Sequence, residues 1–254
     1  MKHKLRILSI NLCAEFPGKK IILLNKWILI LSKIKGDIVF LQEINPYNIE
    51  QLANSLGLKI LNINNSEGTC ILVNTNKLTI VDNNVVKLSR SRKEPIYLGN
   101  LHLDDIPSVI HHMNCMVYKS SEILPINSSK DKILKLCKEN RIPIVKQELI
   151  KAKPYVRAII AGDFNEPSHL DLVNINVPVS KLLEKNGFID TFWYANQEYG
   201  NTWPTGSLYK KEPGQRIDMI YTKNMTVIDS FNYDGPNPSK WLSDHKMVIT
   251  DVEM

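Results

Sequence analysis

The sequence predicts an α/β protein of one domain, and three observations carry that expectation. Seven short apolar runs of strand length are interspersed with four segments of helical periodicity along the whole chain. At 254 residues, with 43% hydrophobic and 23% charged, the chain has ordinary globular composition and enough length for one sizeable core. No composition break, Gly/Ser linker or fixed-period repeat divides it, so one domain is expected over residues 1–254.

The first strand is expected from Leu5 to Ile10, a run that follows the opening Lys and Arg without the apolar stretch or cleavage site of a signal peptide. Ile22 to Lys35 repeats apolar residues at three- and four-residue steps and reads as a helix with one buried face. Asn25, Lys26, Ser32 and Lys33 interrupt it, and it falls short of the roughly 20 apolar residues that a bilayer requires, so no transmembrane segment is expected. A strand at Asp37 to Leu41, a helix at Tyr47 to Leu56 and strands at Cys70 to Val73 and Ile96 to Leu101 follow. Asp104 to Ser129 holds two prolines and His111-His112 without clear periodicity, and it reads as an insertion or long loop, a kind of segment that is often functional. Beyond it come a helix at Lys130 to Asn140, a strand at Val156 to Ala161, a helix at Val179 to Asn186, and strands at Ile217 to Tyr221 and Met247 to Val252.

The net charge of +6 favours acidic partners such as nucleic acid, phosphorylated metabolites or anionic headgroups, although a Lys-, Ile- and Asn-rich composition produces the same sign without selection for binding. Short basic clusters at Lys19-Lys20, Arg90 with Arg92, and Lys210-Lys211 could follow a phosphate backbone or simply be solvated. Cys13, Cys70, Cys115 and Cys137 lack metal-binding spacing and read as reduced thiols. A reducing, cytoplasmic location and a monomer are the default expectations.

Chemistry-bearing residues gather at strand ends. Gly162-Asp163-Phe164-Asn165 follows a buried-strand run, so Asp163 and Asn165, two residues apart, can share one cleft. There a carboxylate can take a proton from water and an amide can donate to a phosphoryl oxygen; an Asx turn is the bland alternative. Ser243-Asp244-His245 precedes the last strand and offers a metal-binding carboxylate beside a proton-transferring imidazole, or else a capping Asp beside a solvated His. Within Arg216-Ile217-Asp218, a half-buried Asp218 needs a partner, and His245 is one candidate; a surface pair with Arg216 is the alternative. Asn11 and Glu43 close two strands and would suit Mg²⁺, and His102 ends another within reach of a phosphate oxygen.

Taken in chain order, Asn11, Gln42-Glu43, Asn100-Leu101-His102, Gly162-Asp163-Phe164-Asn165, Arg216-Ile217-Asp218 and Ser243-Asp244-His245 resemble the endonuclease/exonuclease/phosphatase superfamily, or deoxyribonuclease I-like fold, over nearly the whole chain. The resemblance implies a four-layer α/β sandwich: two mixed sheets face to face, helices outside, and the active site at one end of the sheets. It implies a metal-dependent phosphoesterase that attacks with an activated water and forms no covalent intermediate. Glu43 would be the principal ligand of Mg²⁺ or Mn²⁺, with Asn11 and Asp244 close to the metal. Asp163 would orient or deprotonate the water, Asn165 and His102 would contact phosphate, and His245, oriented by Asp218, would transfer a proton or stabilise the transition state. Glu67 is a candidate acidic partner of His102. Arg216 and Trp241 are carried as substrate-binding candidates, Trp241 able to stack on a base if exposed, whereas Trp203 is expected to be buried.

His102 stands where abasic-site endonucleases of the superfamily carry Tyr, and Gln215-Arg216-Ile217-Asp218 replaces the Trp-Cys-Asp-Arg of inositol polyphosphate 5-phosphatases. Both subfamilies are disfavoured. A nuclease-like phosphodiesterase is the leading expectation, with a phosphatase or phosphodiesterase of a small metabolite or lipid headgroup as the alternative. A non-catalytic binding module is disfavoured because every expected catalytic position is filled.

Overall fold

In the computed structural model, which describes residues 3–13, 20–89, 94–116, 128–172, 174–205 and 211–254, the central strands are apolar on both faces, as strands lying between two covering layers must be. β1 (Lys4–Asn11), β2 (Ile38–Gln42), β3 (Lys59–Asn64) and β4 (Thr69–Val73) come first, then β5 (Leu78–Asp82), β6 (Val85–Leu88), β7 (Ile96–His102), β8 (Arg157–Asp163), β9 (Ile189–Asp190) and β10 (Asp218–Lys223). β11 (Thr226–Tyr233) and β12 (Met247–Glu253) end the chain. One six-stranded sheet has the order β11-β12-β1-β2-β4-β3, the other β5-β6-β7-β8-β10-β9. Both are mixed: β1 runs parallel to β2, and β7 parallel to β8, among antiparallel neighbours.

Period-two alternation builds the layers. Ile7 of β1, Phe40 of β2, Leu98 of β7, Ile159 of β8 and Ile220 of β10 meet in one core between the sheets. Their neighbours in sequence face outward. Leu8, Val39 and Leu72 pack under Leu24, Trp27 and Leu31 of α1 (Lys20–Ile34) and Ile49 and Leu52 of α2 (Pro46–Leu56). Across the molecule, Tyr97, Ile160 and Tyr221 pack under Val145 and Val179. The chain is therefore a four-layer α/β sandwich.

The remaining helices are α3 (Val109–Met113), α4 (Lys130–Ala152), α5 (Pro178–Lys185) and α6 (Thr191–Asn196). α3 lies inside the expected insertion, of which residues 117–127 fall outside the described residues. α4 runs past its expected end at Asn140 and through Pro143; that proline is exposed, so the carbonyl it leaves unpaired faces water. Of the basic clusters, Lys19, Arg90, Arg92 and Lys210 lie outside the described residues, and Lys211 is exposed. The four cysteines are free thiols. Among the described residues, no helix is long and apolar enough to cross a membrane.

At one end of the sandwich the inner rows turn polar. After Leu5 and Ile7, β1 presents Ser9 and Asn11; after Ile38 and Phe40, β2 presents Gln42. β7 passes from Leu98 to Asn100 and His102, and β8 from Ala161 to Asp163. Asp218 opens β10 directly opposite Asp163, and Asn11 pairs with Gln42. The parallel pairs thus deliver their polar ends to one place.

Candidate active site

Asp163 lies at the floor of that polar end, 1% exposed, and both of its oxygens are held. Asn11 Nδ2 donates to Oδ2 at 3.0 Å, and the Asn165 backbone N–H donates to Oδ1 at 2.9 Å. The chain can turn there because Gly162, at φ 144°, passes so close to β7 that a Cβ would stand 1.9 Å from the Leu101 carbonyl oxygen. Only glycine fits. Asn165 adopts a left-handed φ of 46° and donates its side-chain N–H to the Leu103 carbonyl at 2.8 Å.

Glu43 directly follows β2 at a left-handed φ of 50° and is half-buried. Gly68 lies beneath it and accepts the Ile44 N–H at 3.1 Å. Asn11 Nδ2 also donates to Glu43 Oε1 at 3.0 Å, while Asn11 Oδ1 accepts the Cys13 N–H at 2.9 Å. Asn11 is fully buried and serves as a bracket that fixes Glu43 and Asp163 relative to each other.

On the opposite side, Asp218 Oδ2 accepts from His245 Nδ1 at 2.9 Å, and that nitrogen is 3.8 Å from Asp163 Oδ2. Ser243 Oγ donates to the Asn11 carbonyl at 2.7 Å and accepts the His245 N–H, tying this segment to β1. Burial alone would lower the His245 pKa; the charges of Asp218 and Asp163 outweigh it and push the group up to about 10, so the imidazole is cationic at neutral pH. Burial and the charge of Asp218 raise Asp163 above the ordinary carboxylate value, against the pull of His245 and His102. His102 Nε2 lies 3.7 Å from Glu43 Oε1 and 4.0 Å from Asp163 Oδ2. Its Nδ1 faces the Glu67 backbone carbonyl at 3.3 Å, so Glu67 meets this ring through its main chain, whereas a carboxylate partner had been the expectation.

Two groups of residues bear on metal binding. Asp163, Asp218 and His245 place ligand atoms within 4.8 Å of one another. Their facing atoms are, however, occupied: Nδ1 and Asp218 Oδ2 by each other, and Asp163 Oδ2 by Asn11. Glu43 and Asp244, which line the same cleft, offer a second set of hard oxygen donors. Trp203 Nε1 donates to Asp244 Oδ2 at 3.1 Å, while Asp244 Oδ1, like Asp218 Oδ1, is buried and makes no hydrogen bond of ordinary geometry; it stands 4.0 Å from His245 Nε2, and a bound cation would compensate it further. Burial, followed by the charges of Asp244 and Glu43, pushes the neighbouring Cys13 thiol far up.

Glu43, His102, Asp163, Asn165, Asp244 and His245 line a cleft of about 1030 Å³, with Asn11 and Asp218 bonded behind them. Glu67, Asp104, Asp105 and Glu212 join Glu43, Asp163 and Asp244 in its wall, and among the described residues no lysine or arginine lines it.

Two expected substrate contacts lie elsewhere. Arg216 is fully buried, its guanidinium bonded to both oxygens of Asp190 at 2.8 and 2.9 Å and to Asp171 at 2.9 Å, because a buried cation must be neutralised. Trp241 packs edge-on against Trp27 and Tyr233 and donates its indole N–H to the His245 carbonyl. Neither side chain lines the cleft. Trp203 is buried at 5% exposure, as expected, and also forms part of the cleft wall.

One contributor had no signal in sequence. Arg141 of α4 is fully buried and donates to the Asp104 carbonyl at 2.8 Å, the Pro107 carbonyl at 2.9 Å and Glu166 at 3.3 Å, while Glu166 accepts the Val179 N–H. It braces both chain segments flanking Asn165.

The sandwich, the strand-end polar cluster and the Asp218–His245 pair together have the arrangement of a phosphoester-hydrolase centre. Residues 20–245 match the Endonuclease/Exonuclease/phosphatase family, and the chain belongs to it. It is accordingly a hydrolase of phosphoester bonds, of a family that generally uses a divalent metal. Among solved structures it is similar to an endonuclease/exonuclease/phosphatase family protein of Bacteroides thetaiotaomicron, with a TM-score of 0.67 and 15% identity over 100% of this chain and 99% of that one. It is also similar to D. rerio TDP2 in a complex with single-strand DNA product, with a TM-score of 0.64 and 16% identity over 99% of each chain. An uncharacterised Caenorhabditis elegans protein is 33% identical over 141 residues, which cover 43% of this chain and 45% of that protein. The matched stretch thus spans less than half of that relative.

Proposed function

We propose that the protein hydrolyses a phosphodiester of the nucleic-acid type by direct attack of water, with Asp163 as the group that orients and deprotonates it. The observation that carries this reading is the setting of Asp163: it is fixed by Asn11 and the Asn165 amide, and stands about equally far from His102 and His245 on the cleft floor. His245 enters as a cation, held by Asp218, so it neutralises charge on the phosphoryl oxygens and can supply a proton to the leaving oxygen. The second N–H of Asn165 and the His102 ring serve as further phosphate contacts. Glu43 and Asp244 would hold Mg²⁺ or Mn²⁺, which when bound neutralises and polarises the phosphoryl group. The seven carboxylates of the lining support this dependence, since they repel a bare phosphate. The complex of D. rerio TDP2 with single-strand DNA product supports a nucleic-acid substrate.

One observation favours a second reading. A cleft without lysine or arginine among its described residues suits one phosphate with its cation better than a long polyanion, so a small phosphorylated metabolite or headgroup is the alternative.

The test is hydrolysis, with Mg²⁺ or Mn²⁺ and an EDTA control, of bis-p-nitrophenyl phosphate, p-nitrophenyl phosphate, DNA, RNA and inositol phosphates by wild type and Asp163→Ala. Diester cleavage that disappears in the variant supports the proposal. Cleavage of monoesters or inositol phosphates alone replaces it with the alternative.

A further inference from the structure

His111 is a fully buried titratable side chain that the proposed chemistry leaves unused, and it lies in the segment between β7 and α4 that reads as an insertion. Its ring is gripped from two sides. Nδ1 lies 2.6 Å from Ser108 Oγ, and Nε2 lies 2.6 Å from Glu212 Oε2, in the stretch that leads into β10. The same ring stands 6.0 Å from that of Trp203, tilted by 55°. Gln215 reinforces the contact: its side chain approaches His111 Nδ1 at 3.5 Å, and its backbone bonds with that of Trp203 in both directions.

Trp203 in turn sends its one polar group, the indole N–H, to Asp244 Oδ2. The other oxygen of Asp244 is the buried one that makes no hydrogen bond of ordinary geometry. Around Asp244 the backbone is also pinned, since its carbonyl accepts the Thr205 N–H at 2.8 Å. We infer that Trp203 is a positioning residue for Asp244 and that the His111–Glu212 pair clamps Trp203, so that α3 and its flanks set cation affinity at the site through Trp203. Groups that orient a ligand in this way typically change metal affinity by about 10–100-fold when lost. The inference rests on the proposal that Asp244 helps hold the cation.

The test is Mn²⁺ binding to the metal-stripped full chain, followed by the electron paramagnetic resonance signal of the free ion, with the Mn²⁺ dependence of diester hydrolysis measured alongside. Trp203→Phe is expected to weaken Mn²⁺ binding by about 10–100-fold, with turnover recovered at saturating Mn²⁺. Glu212→Ala is expected to weaken it in the same direction by a smaller factor, and it decides the matter alone if Trp203→Phe does not fold. Tyr97→Phe serves as control, because it also removes a donor to a buried carboxylate, Glu148, but outside the cleft; its affinity is expected to stay at the wild-type value. Wild-type affinity in Trp203→Phe and Glu212→Ala, with Asp244→Asn weakened, overturns the inference. Wild-type affinity in Asp244→Asn overturns instead the proposal that Asp244 is a ligand.

Discussion

Asp163 and His245 are close enough to act as one unit, and their variants should therefore be strongly non-additive. Asp163→Asn and His245→Gln are each expected to lower kcat by about 10²–10⁴-fold, the usual worth of a positioned acid or base. The double variant should fall little further; a multiplicative loss in single-turnover assays would separate the two roles. The same pair makes stability depend on pH in the metal-stripped protein. His245 is raised from an ordinary 6.5 to about 10 in the fold, so its stabilising charge is fully present below the lower value and is lost as pH rises through the higher one. Urea denaturation should show wild type losing stability between roughly pH 6.5 and 10, and His245→Gln should lack that slope. These residues were legible because period two places Asp163 in line with Ile159 and Ala161, and a carboxylate in such a row needs a partner. The role of Trp203 was not legible: its partner Asp244 is 41 residues away, and burial alone reads as packing.

At the scale of elements, the strands that are apolar on both faces were found within a residue or two, whereas β3, β5, β6, β9 and β11 had no counterpart in the sequence reading. β3 and β11 are edge strands covered unevenly, with Asn62, Asn64 and Asp229 interrupting their apolar rows. Arg216 shows the complementary error. It is carried as a substrate-binding candidate, but the strand begins only at Asp218, and Arg216 is claimed by Asp171 and Asp190 from distant segments. Arg216→Met should therefore cost about 3–5 kcal/mol of stability by leaving two buried carboxylates uncompensated. Thermal denaturation with parallel Mn²⁺ titration checks this: a large loss of stability with metal affinity retained fits a brace, and a stable protein with a raised KM would restore a substrate contact. Gly162 is the other element-level constraint. Gly162→Ala drives a methyl into the Leu101 carbonyl, and it should separate β7 from β8 or prevent folding, read as lost cooperative unfolding.

For the whole molecule, the four layers were legible through the resemblance carried by the ordered strand-end motifs; strands apolar on both faces are compatible with a sandwich but equally with one sheet flanked by helices. Charge was the weaker guide. A net +6 favours acidic partners or reflects a Lys-rich composition alone, and the cleft itself is lined by seven carboxylates and, among the described residues, by no lysine or arginine. A protein that grips six to ten phosphates through Lys and Arg loses about 10³–10⁵ in affinity between 50 and 200 mM salt. On the proposed reading a phosphate would enter chiefly alongside a cation, and few monovalent counterions would be released. Oligonucleotide binding to the Asp163→Asn variant in Mg²⁺ should accordingly weaken by less than about 10-fold over that salt range, the slope expected for one or two phosphate contacts. A steep dependence would instead require basic residues beyond the cleft wall to follow the backbone, and it would move the substrate from a single scissile phosphate held at Glu43 and Asp163 to an extended strand laid across the mouth of the sandwich.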